Sequence, residues 1–404
     1  MTLTNNKNQL RHAIREKRMF RKAMVSGALV ASLALPAVAE EFVIGAVNAK
    51  TGFMASYDAP FMQGVSMFVA EANERGGLAG QYPIRLIERD DRSDIQQSTI
   101  STSEILSDEK LDLFITSALV PYAVSAGMQA LSQGMMTAHG IASQPTIPAR
   151  LGEGSFLVMM SDAHMGAVNA KYALDDLSAK TAYIISSDFD PFTEFTPLYF
   201  QEVFEAGGGK VVGHSEFAYD QQEFSSMVAA IKALPEQPDV IMGMTFDNDF
   251  PIFINQLRAA GITSTYLGTD VLDQPAVRGL GEVVEGVHYL TMAAPNASDD
   301  AASFVDRFKV AYGGDDSFYP AMVGYSFMRL VEQASINAGS GDAKAIRAAF
   351  AELEDVTTEI GSVTLKGYGA LPNLPVHIMR IEGGKGVYVK STLLTSDEIP
   401  DSRI

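Results

Sequence analysis

Beyond residue 40 the chain alternates, with a short period, between brief apolar runs and amphipathic segments, and this alternation restricts the possible folds most tightly. Residues 42–47 form an apolar run of the kind a buried strand needs. Over 60–75, Phe61, Val65, Phe68, Val69 and Ala72 recur at the spacing of one helix face. Pro60 suits a first helical position, and Gly76-Gly77 suits a stop. The same reading predicts strands at 84–87, 111–116, 135–138, 156–160, 181–186, 210–217 and 240–244. Between them fall predicted helices, one capped by Ser93 or Asp94 and running to 107, then 123–133, 165–177, 193–206, 224–234 and 249–260. Strands separated by helices imply parallel sheets covered by helices on both faces. The length exceeds what one core organises, so two lobes are expected. No Pro- or Ser-rich linker divides the middle, so the chain should pass back and forth between two doubly wound α/β lobes. Such lobes bind ligands beyond the carboxyl ends of their strands. Function is therefore sought in the loops after Val47, Thr116, Ala138, Ser186, Met244 and Gly268.

The N-terminal segment differs from this pattern. Lys7, Arg11, Arg15, Lys17, Arg18, Arg21 and Lys22 stand against a single acid, Glu16. An apolar stretch over 23–35 follows, then Pro36 and Ala37-Val38-Ala39. That sequence of features is a secretory signal, residues 1–39, with Glu40 as the expected first mature residue. The apolar stretch is shorter than the roughly 20 residues that span a bilayer. An exported, periplasmic protein is the expectation.

Composition removes several function classes. With 30 Lys plus Arg against 49 Asp plus Glu, the formal net charge is −19, which argues against nucleic acid as a partner. The absence of cysteine excludes disulfides, thiol catalysis and Cys-ligated zinc. The sequence lacks a G-x-S-x-G elbow, a G-x-x-x-x-G-K-[ST] loop and an H-E-x-x-H helix. The glycine-rich 76–80 follows a helix and reads as its terminus. Asp188, Asp190 and Glu194 lack the loop pattern of a calcium site and read as a solvated helix start. The histidines are scattered, and only His139 lies beside a strand-end loop. No catalytic residues, metal site or cofactor are expected. The strand-end loops instead offer aromatic residues: Tyr57, Tyr122, Phe189, Phe192, Phe246 and Phe250, about half of which should pack internally.

A family resemblance runs in order along the mature chain. It is carried by Phe42-Val43-Ile44-Gly45, Thr51-Gly52, Tyr57, and Ala70-Glu71-Ala72-Asn73-Glu74-Arg75-Gly76-Gly77-Leu78-Ala79-Gly80. It continues in Arg85-Leu86-Ile87-Glu88-Arg89-Asp90-Asp91, Ser93-Asp94, Phe204-Glu205-Ala206-Gly207-Gly208, Phe224-Ser225, Pro238-Asp239-Val240 and Gln256-Leu257-Arg258-Ala259-Ala260-Gly261. The chain resembles bacterial solute-binding proteins of the branched-chain amino acid type, which serve ABC importers. The resemblance implies the type I periplasmic-binding-protein fold, two lobes joined by three hinge crossings near Ser161, Thr291 and Val363. Residues 40–161 plus 292–363 would form one lobe, and 162–291 plus 364–404 the other. It also implies a monomer that captures a small solute in the inter-lobe cleft and delivers it to a membrane permease. A ligand sensor of the same fold without a transport role is the alternative.

In relatives that bind amino acids, a serine after the third strand and a small-small-Thr/Ser segment after the next hold the ligand carboxylate. The positions matching these are Val120, followed by Tyr122, and Gly140-Ile141-Ala142 with Ser143. Val120 and Ala142 cannot donate side-chain hydrogen bonds. The amine grip corresponds to Asp270, with Phe246, Tyr57 and Phe192 as cleft aromatics and Asp247 as further negative charge. The expected ligand is a small solute bearing an amine, quaternary ammonium or amide, or a branched-chain amino acid held by backbone N–H groups.

Overall fold

The computed structural model describes residues 40–246, 248–313 and 318–401. The expected signal segment and Asp247 lie outside these described residues. The first sheet contains β1 (Phe42–Asn48), β2 (Ile84–Asp90), β3 (Leu113–Thr116), β4 (Met136–His139) and β5 (Ser155–Leu157). Its order is β2-β1-β3-β4-β5 and every pair is parallel. The second sheet contains β6 (Thr181–Ser187), β7 (Lys210–Phe217), β8 (Val240–Gly243), β9 (Thr265–Leu267) and β10 (His288–Thr291). A hairpin β11 (Val356–Thr358) and β12 (Gly361–Val363) stands apart, and β13 (Val376–Glu382) and β14 (Lys385–Thr392) extend the second sheet. Its order is β14-β13-β10-β9-β8-β6-β7, parallel from β7 to β10 and antiparallel at the β13 and β14 edge. That edge departs from the all-parallel expectation. A β13–β14 hairpin needs only a tight turn, so no crossover helix intervenes.

The helices are α1 (Ala55–Glu74), α2 (Ile95–Asp108), α3 (Val120–Ser132), α4 (Thr146–Leu151), α5 (Asp162–Lys171), α6 (Pro191–Ala206), α7 (Ser225–Lys232), α8 (Phe250–Ala259), α9 (Pro275–Arg278), α10 (Asp299–Tyr312), α11 (Tyr319–Ala338) and α12 (Ala343–Ala351). Both lobes therefore carry the same doubly wound order, with the winding reversing between β1 and β3 and again between β6 and β8. Each reversal opens a crevice at the strand ends. After β10 the chain returns to the first lobe, where α11 lies against α1. The contact is close because both helices carry glycine there. A Cβ on Gly64 would lie 1.8 Å from the Ala321 carbonyl, and one on Gly324 would lie 2.1 Å from that of Phe61.

Two helix starts differ from expectation in ways that shape the site. Helix α1 begins at Ala55, so Pro60 falls inside it and Tyr57 sits on a helix instead of a loop. The early start is held from a distance: the Met54 N–H donates to Ser93 Oγ at 3.0 Å. Helix α3 starts at Val120 with Pro121 in its first turn, where the missing N–H costs nothing. Among the described residues no helix is long and apolar enough to cross a membrane.

Candidate ligand-binding site

The strand ends of both lobes face one cleft with about 450 Å³ of empty space, open solvent included. The first lobe supplies Met54 and Tyr57 from the start of α1, Ala118 to Val120 after β3, and Ile141 to Gln144 after β4. The second supplies Asp190 and Phe192 at the start of α6, Phe246 after β8, and Asp270 and Val271 after β9. Of the residues singled out in the sequence, Tyr57, Val120, Ile141, Ala142, Ser143, Phe192, Phe246 and Asp270 are brought together here. Two are not. Tyr122 turns away and donates its hydroxyl to the Ser93 carbonyl at 2.9 Å. Gly140 lies below the lining, where an added Cβ would crowd the Thr116 carbonyl and the Phe61 ring.

The apolar wall is aromatic and crosses the cleft. The Phe246 ring meets Tyr57 of the opposite lobe at 6.3 Å and Phe192 of its own at 6.0 Å. Outside it, Phe189 stacks on Tyr219 at 4.1 Å, and Phe53 of the first lobe packs against both. Phe53 and Tyr219 escaped the sequence reading although both follow strand ends, Phe53 in the loop after β1 and Tyr219 two residues after β7. Phe250, by contrast, is wholly buried in its lobe.

The polar wall is acidic. Asp270 accepts from the Tyr319 hydroxyl of α11 at 2.6 Å through Oδ2, while its buried Oδ1 has no partner. Burial raises its carboxyl to about 6 against the pull of the Tyr319 bond. Asp190 is 6 % exposed, which overturns its reading as a solvated helix start. It caps α6, accepting from the Phe192 N–H at 3.0 Å, and the Val120 N–H across the cleft also favours its charge. Burial nevertheless raises it to about 6. The capping role was visible in Asp190-Pro191; its burial depends on the opposing lobe and was not.

Asp162 stands behind Ser143, its backbone N–H donating to the Ser143 carbonyl at 3.0 Å. Neither carboxylate oxygen has a hydrogen-bond partner, and the Ser143 hydroxyl favours its charge. Burial first, then the charges of Asp190 and Asp270, hold this carboxyl well above the usual range. No Lys, Arg or His among the described residues lines the cavity. His139 is buried instead between Thr116 and Ser155, at 2.9 and 2.7 Å, and burial lowers it to about 3. Among the described residues no group of acids and histidines is arranged to hold a metal ion. The arrangement suits a small molecule that presents N–H donors or positive charge to carboxylates and an apolar part to aromatic rings.

The family model for periplasmic binding proteins matches residues 41–385. The chain belongs to that family. A Leu/Ile/Val-binding protein, BraC3, of Rhizobium johnstonii is 23 % identical over 364 residues, covering 89 % of this chain and 97 % of that protein. Among solved structures, a leucine-binding protein from Thermotoga maritima superposes with a TM-score of 0.78 at 20 % identity, covering 89 % of this chain and all of that one. A Rhodopseudomonas palustris solute-binding protein in complex with benzoate gives 0.76 at 22 %, covering 89 % and 99 %. These likenesses establish the two-lobed α/β fold of this periplasmic binding protein. The family consists of solute-binding proteins, and its membership implies a periplasmic location.

Proposed function

We propose that this protein is the solute-binding component of an ABC importer, capturing a small organic solute between its lobes and presenting it to a membrane permease. The observation that carries this reading is the cavity lined by residues of both lobes. A ligand that touches both lobes is bound better by the closed arrangement than by the open one, and that difference in affinity is what drives closure. The lobes are taken as 40–161 plus 292–363 and 162–291 plus 364–404, with crossings near Ser161, Thr291 and Val363. The solute is an amine- or amide-type compound, or a branched-chain amino acid of the kind for which several relatives are named. The acidic, aromatic lining favours the former. The binding residues are Tyr57, Ser143, Phe192, Phe246 and Asp270, with backbone groups around Val120 and Ala142.

A thermal-shift screen over amino acids, amines, amides and aromatic acids tests the reading. One class should raise the melting temperature progressively, with the logarithm of ligand concentration once that exceeds the dissociation constant. A screen in which no solute moves it would sink the proposal.

A further inference from the structure

The cleft is lined by acids with no cation among the described residues, and a groove beside β5 carries only Glu153 and Glu352. A third cavity has the opposite charge. With about 1010 Å³ of empty space, open solvent included, it sets Arg278 and Lys385 against one acid, Asp273. It forms where the second sheet meets α11. Its walls come from α9, from Tyr289 on β10, from Met379 and the turn between β13 and β14, and from Phe318 and Tyr319 at the start of α11. Among the described residues none lines both this cavity and the cleft. Tyr319 belongs to this lining, and its hydroxyl donates to Asp270 of the cleft at 2.6 Å.

The positive charge here is not cancelled from within. Both oxygens of Asp273 are engaged, Oδ1 by Arg278 Nη1 at 2.6 Å and Oδ2 by the Thr291 hydroxyl at 2.8 Å. A guanidinium offers five N–H donors in a planar fork, and the Arg278 side chain keeps 18 % of its exposure, so donors remain for a second acceptor. Lys385 makes no ion pair among the described residues, and its cross-strand neighbour Glu382 is held by Arg380. The turn seats Lys385 close to α9: a Cβ added to Gly384 would lie 3.6 Å from the Arg278 carbonyl. Pro275, Pro295, Phe318 and Met379 make the rest of the wall largely apolar. An arginine fork matches the two oxygens of a carboxylate, and a lysine beside it adds a point charge. The apolar wall suits a hydrocarbon body on the same molecule.

We propose that this cavity is a second binding site, for a small monocarboxylate with a compact apolar body. Arg278 and Lys385 hold the carboxylate, and Phe318 and Met379 pack against the body. The site stands apart from the cleft and does not depend on which solute the cleft takes.

Methionine-methyl NMR separates the two places, because Met379 lines this cavity and Met54 lines the cleft. Benzoate is the probe and benzamide its uncharged counterpart, with the two resonances assigned through Met379→Leu and Met54→Leu. Benzoate should shift the Met379 methyl saturably, and benzamide should bind there at least about 10-fold more weakly. Truncating Arg278 would leave Asp273 buried and unpaired, so Arg278→Lys is used, which keeps the charge and loses the fork. That variant and Lys385→Glu, at an exposed position, should each weaken benzoate at Met379 about 10-fold or more. Unchanged affinity in either variant overturns the inference, and also shows that any Met379 shift is relayed from elsewhere. A Met379 methyl unmoved by millimolar benzoate overturns it, as does benzamide binding as tightly as benzoate. A shift confined to Met54 places the acid in the cleft and overturns it as well.

Discussion

Asp270 gives the most direct test at the scale of one residue. Its carboxylate is buried, tied to Tyr319 on one oxygen and open on the other. A cationic ligand should therefore lose roughly 2–5 kcal/mol of binding in Asp270→Ala, about 30-fold or more in affinity. A neutral ligand should lose far less, and calorimetry on a confirmed solute distinguishes the two. Asp58 governs stability in a different way. It accepts from the Ala49 N–H at 2.9 Å and the Ser117 hydroxyl at 2.5 Å, yet burial, with Asp91 adding, raises it to about 7. A carboxyl raised on folding binds more protons folded than unfolded, so stability falls as pH rises through its folded value. The buried histidines act in the opposite sense. His139 is lowered to about 3, and His164, His288 and His377 to about 4, so stability is lost as pH falls below about 6.5. Asp58 should contribute on the order of 1 kcal/mol to a decline in stability between pH 6.5 and 8. Asp58→Asn should flatten that alkaline limb; an unaltered limb would show that another group causes it.

At the scale of elements, the meeting of α1 with α11 leaves no room for a side chain at Gly64. Adding a methyl there forces the helices apart, and overpacking of this kind costs about 1–3 kcal/mol. Gly64→Ala should lower the urea midpoint accordingly with little change in slope, whereas a wild-type midpoint would contradict the close approach. This contact also shows what the sequence made legible. Strand–helix alternation and its turn residues are local signals, so the α/β class and two doubly wound lobes could be read directly. The strand-end aromatic Phe246 follows from the same reasoning, because topology alone sends those loops to the cleft, whereas Asp270 was reached through the family resemblance. Features that depend on distant partners could not be read. The true start of α1 depends on Ser93, residues away in the next loop, and moves Tyr57 from a loop onto a helix. Asp190 resembles any exposed cap until the opposing lobe covers it. Tyr122 is the third residue of α3, where helical rotation carries its ring away from the cavity.

At the scale of the whole molecule, charge and closure are linked. Asp190 and Asp270 both line the cleft, Asp270 bonded to Tyr319, and burial raises both carboxyls to about 6. Opening the cleft rehydrates them and returns them toward the ordinary value near 4. The closed form therefore binds protons more tightly than the open form, and linkage requires that lowering the pH favour closure. A cationic solute has the same effect by supplying the missing positive charge, and it needs the carboxylates ionised to do so. Two consequences should appear together in small-angle scattering. Ligand-free protein should contract as the pH is lowered from 8 to 5, and a saturating cationic solute at pH 8 should produce the same contraction. The affinity for that solute should in turn weaken below about pH 6, as Asp190 and Asp270 take up protons that compete with it. A radius of gyration that responds to neither variable would mean that the lobes do not move apart. One that responds to solute but not to pH would leave closure intact and remove these two carboxylates as its electrostatic control.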